Sequence, residues 1–156
     1  MKGRSPLSFA RLSVAVLILA ASQSTRADVV TEWNQIALNA IKVDRLNPPR
    51  ASRNLAVLHV AIYDAINGIS QTHKPYAVQG KPAGVASREA AAYAAAHKVL
   101  TALFTNETLR AGFTTAYNQR LAAIRNGPSK RAGVNWGEHV GNTILQLRAN
   151  DGSANA

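Results

Sequence analysis

The chain contains no cysteine, which excludes disulfides and thiolate chemistry. Aromatic residues are only 6% of it, and no run of Lys and Arg exceeds two residues. Neither a base-stacking platform nor a strip that tracks a phosphate backbone is visible, so nucleic acid is not an expected partner. Alternating strand patterns are missing, as are internal repeats and low-complexity linkers. No glycine-rich phosphate loop and no serine in a nucleophile elbow can be found. The four histidines stand without cysteine or paired carboxylates, so no metal-ligand spacing arises. The residues therefore assign no catalytic, cofactor-binding or metal-binding group.

Acidic residues are also scarce, 8 against 18 Lys and Arg, for a formal charge of +10. Part of that excess sits in residues 1–27. Lys2 and Arg4 open the chain, Leu12 to Ala21 is a short apolar run, and Thr25-Arg26-Ala27 precedes Asp28. This pattern predicts a secretory signal peptide, because a membrane span takes about 20 apolar residues. Without Lys2, Arg4, Arg11 and Arg26 the balance is 14 basic to 8 acidic residues, or +6. A periplasmic or secreted location follows as the expectation, with a solvated cationic surface and no stable membrane insertion after cleavage. A domain over 28–152 and a short tail over 153–156 complete the expected organisation.

The periodicity predicts an all-α bundle of about five helices. Val30, Trp33, Ile36, Ala37, Ala40 and Ile41 form one stripe over Val29 to Val43, with Asp28 or Thr31 as cap and Asn47-Pro48-Pro49 as stop. A second helix runs from about Arg50 to Ile69, with Gly68 near its end. Leu55, Leu58, Ile62, Ile66 and Ile69 recur along it, and small apolar residues fill the remaining circumference, which predicts a central helix enclosed by its neighbours. Ser70 to Gly84 has no period and reads as a loop that wraps across other helices. Ser87 caps a third helix whose start, Ala90 to Ala96, is six alanines and one tyrosine. Thr105 or Asn106 caps a fourth, with Leu109, Phe113, Tyr117, Leu121 and Ile124 on one face. Ser129 is the expected cap of a fifth, reaching about Ala149. Gly133, Gly137 and Gly141 recur in it every four residues. Each glycine costs about 1 kcal/mol relative to alanine. Three in register predict a groove where another helix packs closely.

The second helix buries unusual polarity: Arg53, Asn54, His59, Asp64 and Asn67. At 100° per residue His59 and Asp64 are turned about 140° apart, so they do not converge on one face. A buried carboxylate needs a partner. Asp64 and Asn67 lie within one turn and can share one, with Arg53 or another basic group as candidate. The expectation is a structural polar network of Arg53, His59, Asp64 and Asn67, with His59 a core histidine holding a hydrogen bond.

These residues form the pattern R-x-L-A-x-x-H-x-A-I-Y-D-A-I-N over Arg53 to Asn67. It resembles the first core helix of bacterial vanadium-dependent haloperoxidases, which share a superfamily with type 2 phosphatidic acid phosphatases. Two later blocks extend the resemblance: Ser87 to Leu103, and Gly137 to Gly152, which is similar to G-x-x-V-G-x-x-I-L-x-x-R-A-x-D-G. The resemblance implies an all-α fold of helical bundles with the vanadate or phosphate pocket in a later bundle. It implies a parent activity of halide oxidation by hydrogen peroxide at bound vanadate, or of phosphoester hydrolysis through a histidine.

The family's oxyanion motifs are K-x6-R-P, P-S-G-H and S-R-x5-H-x3-D. Lys74 to Pro82 has the first spacing with Lys81 in place of arginine, and an ammonium does not reproduce the planar fork of a guanidinium. The nearest approach to the second is Pro128-Ser129-Lys130. Arg131 to His139 approximates the third, but the spacing is wrong by two and Thr143 stands at the aspartate position. The expectation is thus an exported N-terminal helical fragment of a haloperoxidase-like protein, inactive alone, whose partner is a missing C-terminal bundle or a second copy. The alternative is a free-standing periplasmic helical binding or interaction module.

Overall fold

The computed structural model describes residues 28–153. The expected leader over 1–27 and most of the expected tail lie outside the described residues. Among the described residues the chain forms five helices and no strand: α1 (Val29–Val43), α2 (Pro48–Ser70), α3 (Arg88–Leu103), α4 (Glu107–Ala122) and α5 (Pro128–Leu147). The all-α bundle predicted from the periodicity is the fold.

α1 buries Val29, Trp33, Ala37 and Ala40, one stripe at helical spacing, with Val30, Ile36 and Ile41 half-buried beside it. Its end differs from the expected one. Asp44 is the C-cap and Arg45 adopts a left-handed φ of 50°. The N–H of Leu46 then reaches Ile41 O at 3.1 Å, and that of Arg45 reaches Lys42 O at 3.3 Å. This is a Schellman closure with arginine where glycine is usual. Pro48 and Pro49 do not stop α1; they open α2, capped by Asn47, whose side chain accepts from the Arg50 N–H at 3.1 Å. Proline suits a first turn because the N–H it lacks has no helical acceptor there.

The centre of the bundle is α3, not α2. Every residue from Ala90 to Ala96 is buried. α2 keeps an open arc, where Ser52, Ala56 and Tyr63 are exposed. An alanine-rich helix has the smaller radius, so neighbours can approach it from all sides. Ser87 caps α3 through its hydroxyl, which accepts from Ala90 N–H at 3.2 Å.

α5 runs parallel to α3 and, among the described helices, packs most extensively against it. Gly133 meets Ser87 O and Ala90, Gly137 meets Ala91 O and Ala94, and Gly141 meets Ala95 O and Lys98. A Cβ at Gly137 would overlap the Ala91 carbonyl. The glycine ladder is the expected groove, and α3 fills it. Ser129 does not cap α5; Gly127 occupies the cap position, and Ser129 instead accepts the Ser87 N–H on its carbonyl at 2.9 Å.

α4 lies at the periphery and buries only Phe113, which meets Phe104 edge-on at 5.6 Å between ring centres. Asn106 caps it through Thr108 and Leu109 N–H and also donates to Asp44 at 3.1 Å, fastening α4 to the end of α1.

Candidate functional site

The polar residues of α2 converge on the loop that follows it. Asp64 is 1% exposed. Its carboxylate accepts three backbone N–H bonds, from Tyr76 at 2.7 Å and from Ala77 and Val78 at 2.9 Å. One turn later, Asn67 closes a two-way bond with the His73 backbone, donating to its carbonyl at 2.8 Å and accepting its N–H at 3.0 Å. Tyr63 donates to Lys74 O at 2.8 Å. Side chains spaced along one helix thus hold the loop from 73 to 78 by its main chain, and Val78 enters the core. Asp64 and Asn67 share a segment as partner, made of peptide groups rather than a basic side chain.

Arg53 is elsewhere. It donates to Asp151 at 2.8 Å and to Arg148 O at 2.9 Å, closing the C-terminal end of α5. The guanidinium hydrogen bond, with a smaller one from Ser153, holds the Asp151 carboxyl well below the usual carboxylate range. Arg148 in turn bonds the Tyr76 hydroxyl and lies over its ring. His59 is half-buried with its Nε2 3.0 Å from Asn34 Oδ1, tying α2 to α1. Arg53 and Asp64 share no direct bond but are linked through Arg148 and Tyr76, while His59 makes its own tie to Asn34.

Trp136 braces this end of α2, and His97 joins α3 to α4 elsewhere in the bundle. The Trp136 indole N–H donates to Ala65 O at 3.0 Å, and its ring lies where Gly68 would carry a Cβ. His97 stacks on Tyr117, with ring centres 4.4 Å apart, and lies 3.1 Å from Thr114 Oγ1. Burial lowers the His97 pKa, with a smaller contribution from Lys98; burial raises that of Tyr117, helped by Glu138.

The pieces that approximate oxyanion motifs fall in two places. Lys81, Arg131 and His139 line one shallow depression of about 390 Å³ beside Trp136. Lys74 lines a different one, against Asn67 and Gly68. Lys81, Arg131 and His139 are all exposed, and none makes a side-chain hydrogen bond or ion pair to a described residue. Hydrated cations such as Lys81 and Arg131, held by no such bond, exert weak, salt-screened attraction. They lack the fixed donors that a preorganised anion pocket requires.

Among the described residues no group of three His, Asp or Glu side chains could hold a metal ion. No described helix is long and apolar enough to cross a membrane. No family model, curated protein or solved structure matches the chain. Its function rests on its own residues.

Sequence reasoning singled out Asp64 and Asn67 but not their acceptors and donors, because peptide groups carry no residue-type signal. It also passed over Asn34, Tyr76 and Arg148, which are ordinary surface residues until the fold places them.

Proposed function

We propose that this chain is an exported helical scaffold resembling the first part of a vanadium-dependent haloperoxidase, supplying packing rather than the oxyanion-holding groups. One observation carries the reading. The three blocks that resemble the family contain the residues that tie the helices together. From the first block, Arg53 and Asp64 hold the end of α5 and the loop. The second and third blocks supply the faces of the α3–α5 contact at Ala91 and Gly137. The third also supplies Arg148 and Asp151, the partners of Arg53 and Tyr76. The shared pattern is thus a pattern of fastening, and no step of halide oxidation or phosphoester hydrolysis is assigned to these side chains.

The partner of such a scaffold is a further helical bundle or a second copy. Exposed Val43 and Leu147 lie at the end of the molecule where α2 begins, and half-buried Leu55 is nearby in sequence. Incubating the purified, folded chain with orthovanadate, bromide and peroxide tests the reading. No bromination is expected, and robust turnover would refute it.

A further inference from the structure

The dipeptide Asn-Gly occurs twice, at Asn67-Gly68 and at Asn126-Gly127. Ahead of glycine, an asparagine side-chain amide is open to attack by the next main-chain nitrogen, because no Cβ obstructs the approach. The fold gives the two copies opposite surroundings. The Asn67 amide is held in both directions by the His73 backbone, at 2.8 and 3.0 Å. Both residues are buried within α2, and the Trp136 ring fills the space beside Gly68. Neither the amide nor the glycine nitrogen is free to turn.

Asn126-Gly127 lies in the connection between α4 and α5. Asn126 is exposed, and apart from its chain neighbours nothing lies within 4 Å of where a Cβ on Gly127 would stand. The Gly127 N–H makes no hydrogen bond with a described residue, so none has to break before that nitrogen moves. On the other side, Asn126 Oδ1 accepts from the Lys130 ammonium at 3.0 Å. An ammonium only donates, so the amide must present its oxygen and leave Nδ2 outward. Lys130 is half-buried and also reaches Ile124 O at 3.4 Å, which holds its head at two points. A cation on a carbonyl oxygen stabilises the negative charge that gathers there when a nucleophile adds to the carbon. Nucleophile, electrophile and promoting charge thus stand within one short stretch of chain.

We propose that Asn126 is a self-modification site, converting spontaneously to aspartyl and isoaspartyl forms with Lys130 as the promoting group. The Gly127 nitrogen, its proton lost to hydroxide, attacks Asn126 Cγ. The N–Cγ bond forms, the Cγ–Nδ2 bond breaks, and Nδ2 takes a proton from water and leaves as ammonia. Water then opens the cyclic imide. Breaking the new N–Cγ bond restores the ordinary chain with a carboxylate side chain. Breaking the main-chain bond instead routes the chain through Cβ and Cγ. Nothing is oxidised or reduced. Either product places a carboxylate near Lys130 and just ahead of the first turn of α5, where the helix dipole favours negative charge. The junction between α4 and α5 thus exchanges a neutral partner of Lys130 for a charged one, and it does so whether or not the scaffold reading holds.

Incubating the purified chain at mildly alkaline pH, with tryptic mapping by mass spectrometry over time, tests it. Trypsin cuts after Arg125 and Lys130, releasing a 126–130 peptide whose amide, aspartyl and isoaspartyl forms separate by chromatography. In the folded chain this peptide should convert while the one carrying Asn67 stays an amide; in urea both should convert. Lys130→Gln should slow conversion of Asn126 about fivefold in the folded chain, the effect of one charge-assisted bond, and leave its rate in urea unchanged. Lys130→Arg keeps a donor cation and should retain most of the folded rate. Persistence of the Asn126 amide in the folded chain, or equal conversion of Asn67 there, would overturn the proposal. So would a folded rate untouched by Lys130→Gln, or one slowed by the same factor in urea.

Discussion

The carboxylate of Asp64 receives the backbone N–H of Val78 at 2.9 Å, across fourteen residues of chain. That bond, with those from Tyr76 and Ala77, turns an otherwise irregular loop into a fixed wall of the bundle. Asp64→Ala leaves three loop N–H groups without their acceptor, so it should cost about 2–4 kcal/mol. Urea unfolding measures the loss. Limited proteolysis should show new cleavage between 71 and 87 while helical circular dichroism is retained. Unchanged protease resistance would mean that the loop is held by other contacts.

The glycines make a prediction with opposite signs. Gly112 lies in α4 with open space where a Cβ would go, whereas a Cβ at Gly137 would overlap the Ala91 carbonyl. Gly112→Ala should stabilise by up to about 1 kcal/mol through helix propensity. Gly137→Ala should destabilise by about 1–3 kcal/mol, because overpacking against a backbone outweighs that gain. The two variants, compared by chemical denaturation, separate a packing glycine from an incidental one.

His97 gives the fold a pH dependence. Burial favours its neutral form, so its folded pKa lies below the ordinary histidine value of 6.5. As pH falls through that value, the unfolded chain takes up the proton first and stability drops; above it the contribution is fully present. Melting temperature should therefore fall between pH 7.5 and 5.5, and His97→Gln should flatten part of that slope. A slope unchanged in the variant would assign the dependence to another group.

Arg45 sits at a left-handed φ of 50° with its side chain exposed and unpaired. Glycine adopts that conformation without steric cost, so Arg45→Gly should raise stability by about 0.5–1 kcal/mol, less a small loss from a more flexible unfolded chain. Thermal unfolding reads the shift.

Much of the architecture was legible in the residues. The α1 stripe, the Ser87 cap, the Asn106 cap and the glycine ladder each carry a local chemical signal that the fold uses. Other features were not legible, for physical reasons. Hydrophobic periodicity measures apolarity and not girth, so α2 read as the centre although the slim, alanine-rich start of α3 occupies it. Proline fits both just after one helix and at the start of the next, and Pro48 does the second. Ser129 has cap chemistry but lies inside α5. At the candidate site, the polarity of Asp64 and Asn67 was plain, yet their partners are main-chain groups brought close only by the fold. The empty slot beside Gly68 that Trp136 fills depends on two helices meeting, and no spacing within either one encodes it.

Orthovanadate binding to the purified chain, measured by equilibrium dialysis at physiological salt, tests the central claim most directly. A scaffold whose Lys81 and Arg131 are exposed and held by no hydrogen bond or ion pair should retain no stoichiometric vanadate at micromolar concentration. Retention of one vanadate per chain, lost in Arg131→Gln, would contradict it and place an oxyanion site on α5.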